Sequence, residues 1–183
     1  MSQIEIPTRD NIAPEAHGTL DAVERQLGFT PNLHHLMALS PAVLKGWLGL
    51  MSSLATTLDA ATRDGIAMVV SEVNRCHYCL SAHAHVSRTF AGLSEEEIAR
   101  NREGFSEDPK RQAAIRFART VTQLRGRVAA ADLDKVRGAG FSDANIIEIV
   151  ALVAQFSMTN FINNVAGTPI DFDLVDPPME TTA

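Results

Sequence analysis

Apolar residues in this chain recur at intervals of three and four in segment after segment, while runs that alternate apolar with polar are few. A helix buries every third or fourth side chain and a half-buried strand every second, so this period dictates an all-α fold. The aromatic share, 5% of 183 residues, is also too low for the aromatic and β-branched runs that build sheets.

Punctuation divides the pattern into about eight to nine helices. Pro14 suits a first helical position, Leu20, Val23 and Leu27 follow as one face, and Gly28 supplies the left-handed stop. Pro31 and Pro41 open a short helix over 32–39 and a longer one through Val43, Leu44, Trp47, Leu48, Met51 and Leu54. The next face, Ile66, Met68, Val69, Val70 and Val73, runs into Asn74-Arg75-Cys76-His77-Tyr78-Cys79, from which a further helix continues through Val86 and Phe90 to Gly92. Gly92-Leu93-Ser94-Glu95-Glu96-Glu97-Ile98 is echoed by Gly140-Phe141-Ser142-Asp143-Ala144-Asn145-Ile146, in the order stop, apolar residue, N-cap, acidic turn, apolar residue. Ser94 with Glu97 has the spacing of a capping box, and Leu93 with Ile98 and Phe141 with Ile146 that of hydrophobic staples. Asp108-Pro109 opens a helix carrying Ala113, Ile115, Phe117, Ala118, Val121 and Leu124, a shorter one runs over 131–139, and the segment from 168 with Pro169, Pro177 and Pro178 reads as an extended, partly loose tail.

The length and a 45% hydrophobic content suit one core, so a single domain over 1–183 is expected, with its centre at about 39–90 and helices continuing to about 167. A net charge of −6 with scattered basic residues repels phosphate backbones and argues against nucleic acid. The first residues lack the basic and apolar regions of a signal peptide. The apolar stretch 146–165 contains Glu148, Gln155 and three asparagines, which insertion into a bilayer penalises, so it reads as a buried helix and no membrane partner is expected. Two cysteines three apart cannot staple a secreted fold; a cytoplasmic setting, and catalysis or metal binding at the pair, fit better.

Cys76 and Cys79 fall at or near a helix start, where a Cys-x-x-Cys pair closes a bond of about 2.05 Å with little strain. First-turn amides and the positive end of the helix dipole favour thiolate there. At about 100° per residue, Cys76, Cys79 and His83 lie within roughly 60° of one another, and His83 follows Cys79 by the four residues at which helix neighbours touch, placed to deprotonate or orient a thiol. His85 points nearly opposite Cys76 and His77 lies well round the helix, so both read as solvated or intersubunit histidines. Glu72 joins the stripe only if one helix runs through Asn74 and Arg75, which look more like a break; Asp64 reaches the site if the two helices pack as a hairpin. Besides a redox pair, two readings stand: zinc on Cys76, Cys79 and His83, which lacks a second cluster to supply a fourth ligand, and two inert core cysteines. A thioredoxin fold is disfavoured because no strand precedes the motif.

The segment Glu72-Val73-Asn74-Arg75-Cys76-His77-Tyr78-Cys79-Leu80-Ser81-Ala82-His83 resembles the core of the AhpD-like alkylhydroperoxidases within the carboxymuconolactone decarboxylase superfamily. The likeness extends from about residue 39 to 90, and Thr159-Asn160-Phe161-Ile162-Asn163-Asn164-Val165-Ala166-Gly167-Thr168 resembles the C-terminal helix of its peroxidase-related members. It implies an AhpD-like helical domain with the cysteines on a helical hairpin, assembled as trimers or hexamers. It also implies reduction of a small hydroperoxide in which Cys79 becomes a sulfenic acid and Cys76 supplies a proton and closes the disulfide. The resemblance puts the base on His83 and the relay carboxylate on Asp64, where glutamate is usual, with Glu72 or a bridging water as the substitute; it also finds Tyr78 where the best-known branch has histidine. A dithiol reductant protein or small thiol then reopens the bond, and neither metal nor organic cofactor is needed. The other class of function for the same residues is a non-catalytic redox- or metal-responsive binding protein.

Overall fold

The computed structural model describes residues 2–179 and contains, among them, nine α-helices, one 3₁₀ turn at Arg9–Asn11 and no strand. The helices are α1 (Pro14–Leu27), α2 (Asn32–Met37), α3 (Pro41–Leu54), α4 (Ala60–Val73), α5 (His77–Thr89), α6 (Glu95–Glu103), α7 (Pro109–Leu124), α8 (Ala130–Gly138) and α9 (Asp143–Ala166). The boundaries follow local chemistry. Asp59, Ser94, Asp108 and Ser142 each accept a hydrogen bond from the third amide of the helix they open, and Gly28, Gly104 and Gly167 stop helices with positive φ.

One expected box forms only in part. Ser94 caps α6, but the Glu97 carboxylate turns inward to accept from Ser106 Oγ, from the Glu107 amide at 3.0 Å and from Arg111 at 3.1 Å. A buried carboxylate gains more from an arginine and two further donors than from one exposed amide, so it anchors the α6–α7 loop instead.

Helix α4 lies at the centre, packed against α5, α6, α7 and α9, and its residues Ile66 to Val70 are fully enclosed. The main core gathers Ile66, Val69 and Val70 with Ile115, Phe117 and Val121 of α7 and Ile149, Leu152 and Phe156 of α9. Gly65 lets α4 approach α7 closely: a Cβ there would stand 2.5 Å from Ile115 Cδ1. A second core joins α1, α2 and α3 (Leu20, Leu33, Met37, Leu44, Trp47) to Cys76, Tyr78 and Cys79. The site is therefore built between these two cores.

By length and composition α9 could cross a bilayer, yet ten of its residues are buried within the fold, among them Gln155, Thr159, Asn160 and Asn163. It is a core helix with one open face. Residues 168–179 form neither helix nor strand and are tied to the surface by hydrogen bonds. Asn32 donates through its amide to Asp171 (2.7 Å) and through Nδ2 to the Pro169 carbonyl (3.0 Å), Arg102 donates to the Pro177 carbonyl (3.0 Å), and the Met179 amide donates to Glu72 (2.6 Å). Phe172 seats edge-on against Phe29 and Tyr78. Residues 180–183 of the expected tail lie outside the described residues.

Candidate active site

The turn between α4 and α5 sets the geometry. Helix α4 ends with the Arg75 amide bonded to the Glu72 carbonyl (3.0 Å) and the Cys76 amide to the Ser71 carbonyl (2.9 Å), the paired bonds of a Schellman stop. That stop needs a left-handed residue, and Arg75 takes it at φ 54, where glycine is usual and a Cβ costs about 1 kcal/mol. The break was anticipated from Asn74 and Arg75. It places Cys76 at the N-cap of α5, its sulfur accepting from the Cys79 amide at 3.4 Å, with Cys79 in the first turn.

Both cysteines are free thiols and both are buried. The two thiols differ in their hold on the proton. Burial pushes Cys79 up, but hydrogen bonding to its sulfur from Cys76 and from Asn160, Asn163 and Thr159 of α9 outweighs it and leaves the group below an ordinary thiol. The direct contact is Asn163 Nδ2 to Cys79 Sγ at 3.2 Å. Cys76 is raised, first by donating to Cys79 and then by burial. Of the two, Cys79 therefore gives up its proton more readily and Cys76 holds its own more tightly.

His83 lies one turn beyond Cys79, partly buried, with its ring edge-on to Phe156 at 5.1 Å. Burial lowers its pKa to about 4, and its enclosed Nδ1 has no hydrogen-bond partner among the described residues. A neutral imidazole is available there, but no described hydrogen bond joins it to a thiol or a carboxylate. Asp64 is half-buried in α4, and desolvation raises it to about 7 despite Arg63 nearby. Glu72 is not turned to the cysteines. Its two oxygens accept from Arg102 Nε at 2.8 Å and from the Met179 amide at 2.6 Å, because the Schellman stop ends α4 before its face can continue into α5. It ties α6 and the tail to α4.

His77 and His85, expected in solvent or between subunits, are covered by the tail: His77 Nε2 lies 2.7 Å from the Val175 carbonyl and His85 packs on Phe172. Tyr78 accepts from the Leu33 amide at 3.2 Å, and burial raises its phenol well above the ordinary value. Sequence reasoning missed the α9 contribution. Asn160 donates to Ser71 Oγ (3.1 Å) and accepts from Asn74 Nδ2 (2.9 Å), Asn74 also donates to Ser157 Oγ (3.1 Å), and Asn164 donates to the Asn74 carbonyl (2.9 Å). The available signal was Asn160, Asn163 and Asn164 in a mostly apolar stretch, weighed against membrane insertion and noted in the family resemblance but not assigned to the site. Among the described residues no group of three or more His, Cys, Asp or Glu side chains is disposed to hold a metal ion.

Residues 41–120 match the carboxymuconolactone decarboxylase family. The whole fold is similar to an AhpD-core, peroxidase-related protein from Ralstonia eutropha JMP134, with a TM-score of 0.84 at 23% identity over 93% of this chain and 92% of that one. A peroxidase-related protein from Silicibacter sp. TM1040 gives 0.81 at 25% identity over 92% and 91%. The debrominase Bmp8 bound to 2,3,4-tribromopyrrole gives 0.76 at 22% identity over 93% and 94%. No curated protein sequence is significantly similar to the chain.

Proposed function

We propose that the chain, whose residues 41–120 match the carboxymuconolactone decarboxylase family and whose fold is similar to AhpD-core proteins, is a thiol-dependent peroxidase that reduces a small hydroperoxide through Cys79 and Cys76. One fold hosts several chemistries, as the debrominase illustrates, so the activity has to be argued from the site. The observation that carries it is the unequal pair: a buried thiol held below its usual pKa and one held above it, three residues apart at a helix start where the Cys79 amide donates to the Cys76 sulfur at 3.4 Å. Such a pair presents a nucleophile and a proton donor to the same oxygen–oxygen bond.

In this reading His83 takes the Cys79 proton and the thiolate attacks the terminal peroxide oxygen. The O–O bond breaks, Cys79 becomes a sulfenic acid, and the departing alkoxide takes the Cys76 proton to leave as an alcohol. The Cys76 thiolate attacks the Cys79 sulfur. The S–O bond breaks and the hydroxide recovers the proton from His83 as water. Two thiols have become a disulfide and the peroxide has gained two electrons. A dithiol protein or small thiol resets the site by exchange, which suits a reducing, cytoplasmic setting. Asp64, raised to about 7 and so shared between its two forms at neutral pH, is the remaining carboxylate candidate for the relay behind His83. The open apolar face of α9 supports assembly as a homo-oligomer.

Stoichiometric hydroperoxide should remove two titratable thiols from the wild type, and Cys79→Ser should abolish turnover in an assay coupled to a dithiol. Full peroxide consumption by that variant would refute the assignment.

A further inference from the structure

Among the buried polar side chains of α9, Asn160 and Asn163 sit one turn apart and are used differently. Asn160 also helps to lower Cys79, but it engages both amide atoms in protein contacts, donating to Ser71 and accepting from Asn74, as a residue that ties helices together should. Asn163 gives its single described side-chain hydrogen bond to a sulfur, Cys79 Sγ at 3.2 Å, and its Oδ1 is enclosed with no partner. Its backbone is fixed by the end of α9, where the Gly167 and Thr168 amides both donate to the Asn163 carbonyl, the latter at 3.1 Å. A fully buried amide at a pinned backbone position, aimed at a thiol with half of its hydrogen-bonding capacity unused, is poorly explained as a structural tie.

No positively charged side chain is recorded against the Cys79 sulfur; the groups that stabilise it are the Cys76 thiol and the uncharged side chains of α9. His83, which sequence spacing placed to deprotonate or orient a thiol, is held neutral by burial and makes no described bond to it. An N–H donor is stronger toward an anion than toward a neutral sulfur, so the contact favours the ionised form. We propose that Asn163 is a catalytic residue that holds the Cys79 sulfur as a thiolate through its amide N–H. This rests on the peroxidase reading for its biological meaning, but the contact is testable without it.

The test compares wild type, Asn163→Ala and Asn163→Asp, following thiolate absorbance near 240 nm and the rate of alkylation by iodoacetamide against pH, then the rate of oxidation by hydroperoxide. Loss of the donor should move the Cys79 titration to higher pH and lower the rate at neutral pH about tenfold, as removal of one hydrogen bond to a charged group does. The rate should recover at alkaline pH. Asn163→Asp keeps the shape of the side chain should the alanine variant fail to fold, and its carboxylate should raise the titration further. An unmoved titration, whether rates stay the same or fall equally at every pH, would overturn the proposal. If the wild type fails to consume hydroperoxide while the titration still moves on substitution, the peroxidase reading falls and the role of Asn163 stands.

Discussion

His34, His83 and Asp64 bind protons in the folded chain far from where they bind them in water. Burial, with His35 adding to it at His34, lowers both His34 and His83 to about 4, and desolvation raises Asp64 to about 7. Between about pH 6.5 and 4 the unfolded chain carries a proton on each histidine that the folded chain refuses, so these groups lose stabilising effect as pH falls. Asp64 acts oppositely over the same window, because its folded form keeps a proton that the unfolded form has released above its ordinary value. Two protons against one leave a net slope of about 1.4 kcal/mol per pH unit, stability falling toward acid. Asp64→Asn removes the opposing group and should roughly double that slope. Denaturant unfolding at pH 6.5 and 4.5 measures both, and an unchanged slope in the variant would mean that Asp64 is ionised in the fold.

At the scale of elements, the α4–α5 hairpin is only half of the site; α9 and the tail complete it. Phe172 packs on Tyr78, next in sequence to Cys79, and also against Phe29 and His85. Phe172→Ala should cost about 2 kcal/mol, less than a fully buried phenylalanine because the ring is only partly buried. It should also speed alkylation of the reduced cysteines by loosening their cover. A melting curve and iodoacetamide kinetics read the two effects, and a destabilised variant with unaltered alkylation would show that the tail does not limit access. What sequence revealed and what it hid divide along the same line. The helices were legible because their signals are local: proline at the first turn, serine or aspartate at the cap, a left-handed residue at the stop. The cysteines were legible by spacing, as was the break at Arg75. The partner of Glu72 was not, since Arg102 is thirty residues away and nothing in spacing predicts it. Nor was the contact between Asn163 and Cys79, eighty-four residues apart, because an asparagine in an apolar helix announces burial without saying against what.

For the whole molecule, the open question is what covers α9. Ile147, Val150, Ala154, Met158, Phe161 and Val165 follow one another at intervals of three and four, a strip about 27 Å long at 1.5 Å per residue. Ile147, Phe161 and Val165 are 69%, 55% and 64% exposed, more than a helix of this apolarity leaves to water without a partner. On α3, which packs against α9, Val43, Leu50 and Met51 are exposed as well. Gly46 and Gly49 lie among them, and a Cβ at either would touch nothing within the chain. Glycine inside a helix costs about 1 kcal/mol relative to alanine, so two of them facing open space are accounted for if another backbone comes close. A second copy of this chain meets that requirement, since an apolar helical strip pairs readily with itself across a two-fold axis. Gly46→Ala with Gly49→Ala should then strengthen α3 locally yet weaken association. Phe161→Glu with Val165→Glu should yield a monomer with its two reduced thiols intact. Sedimentation velocity at micromolar concentration decides between the cases: a monomeric wild type, or alanine variants that raise the melting temperature with no loss of association, would leave the face without a second copy on it.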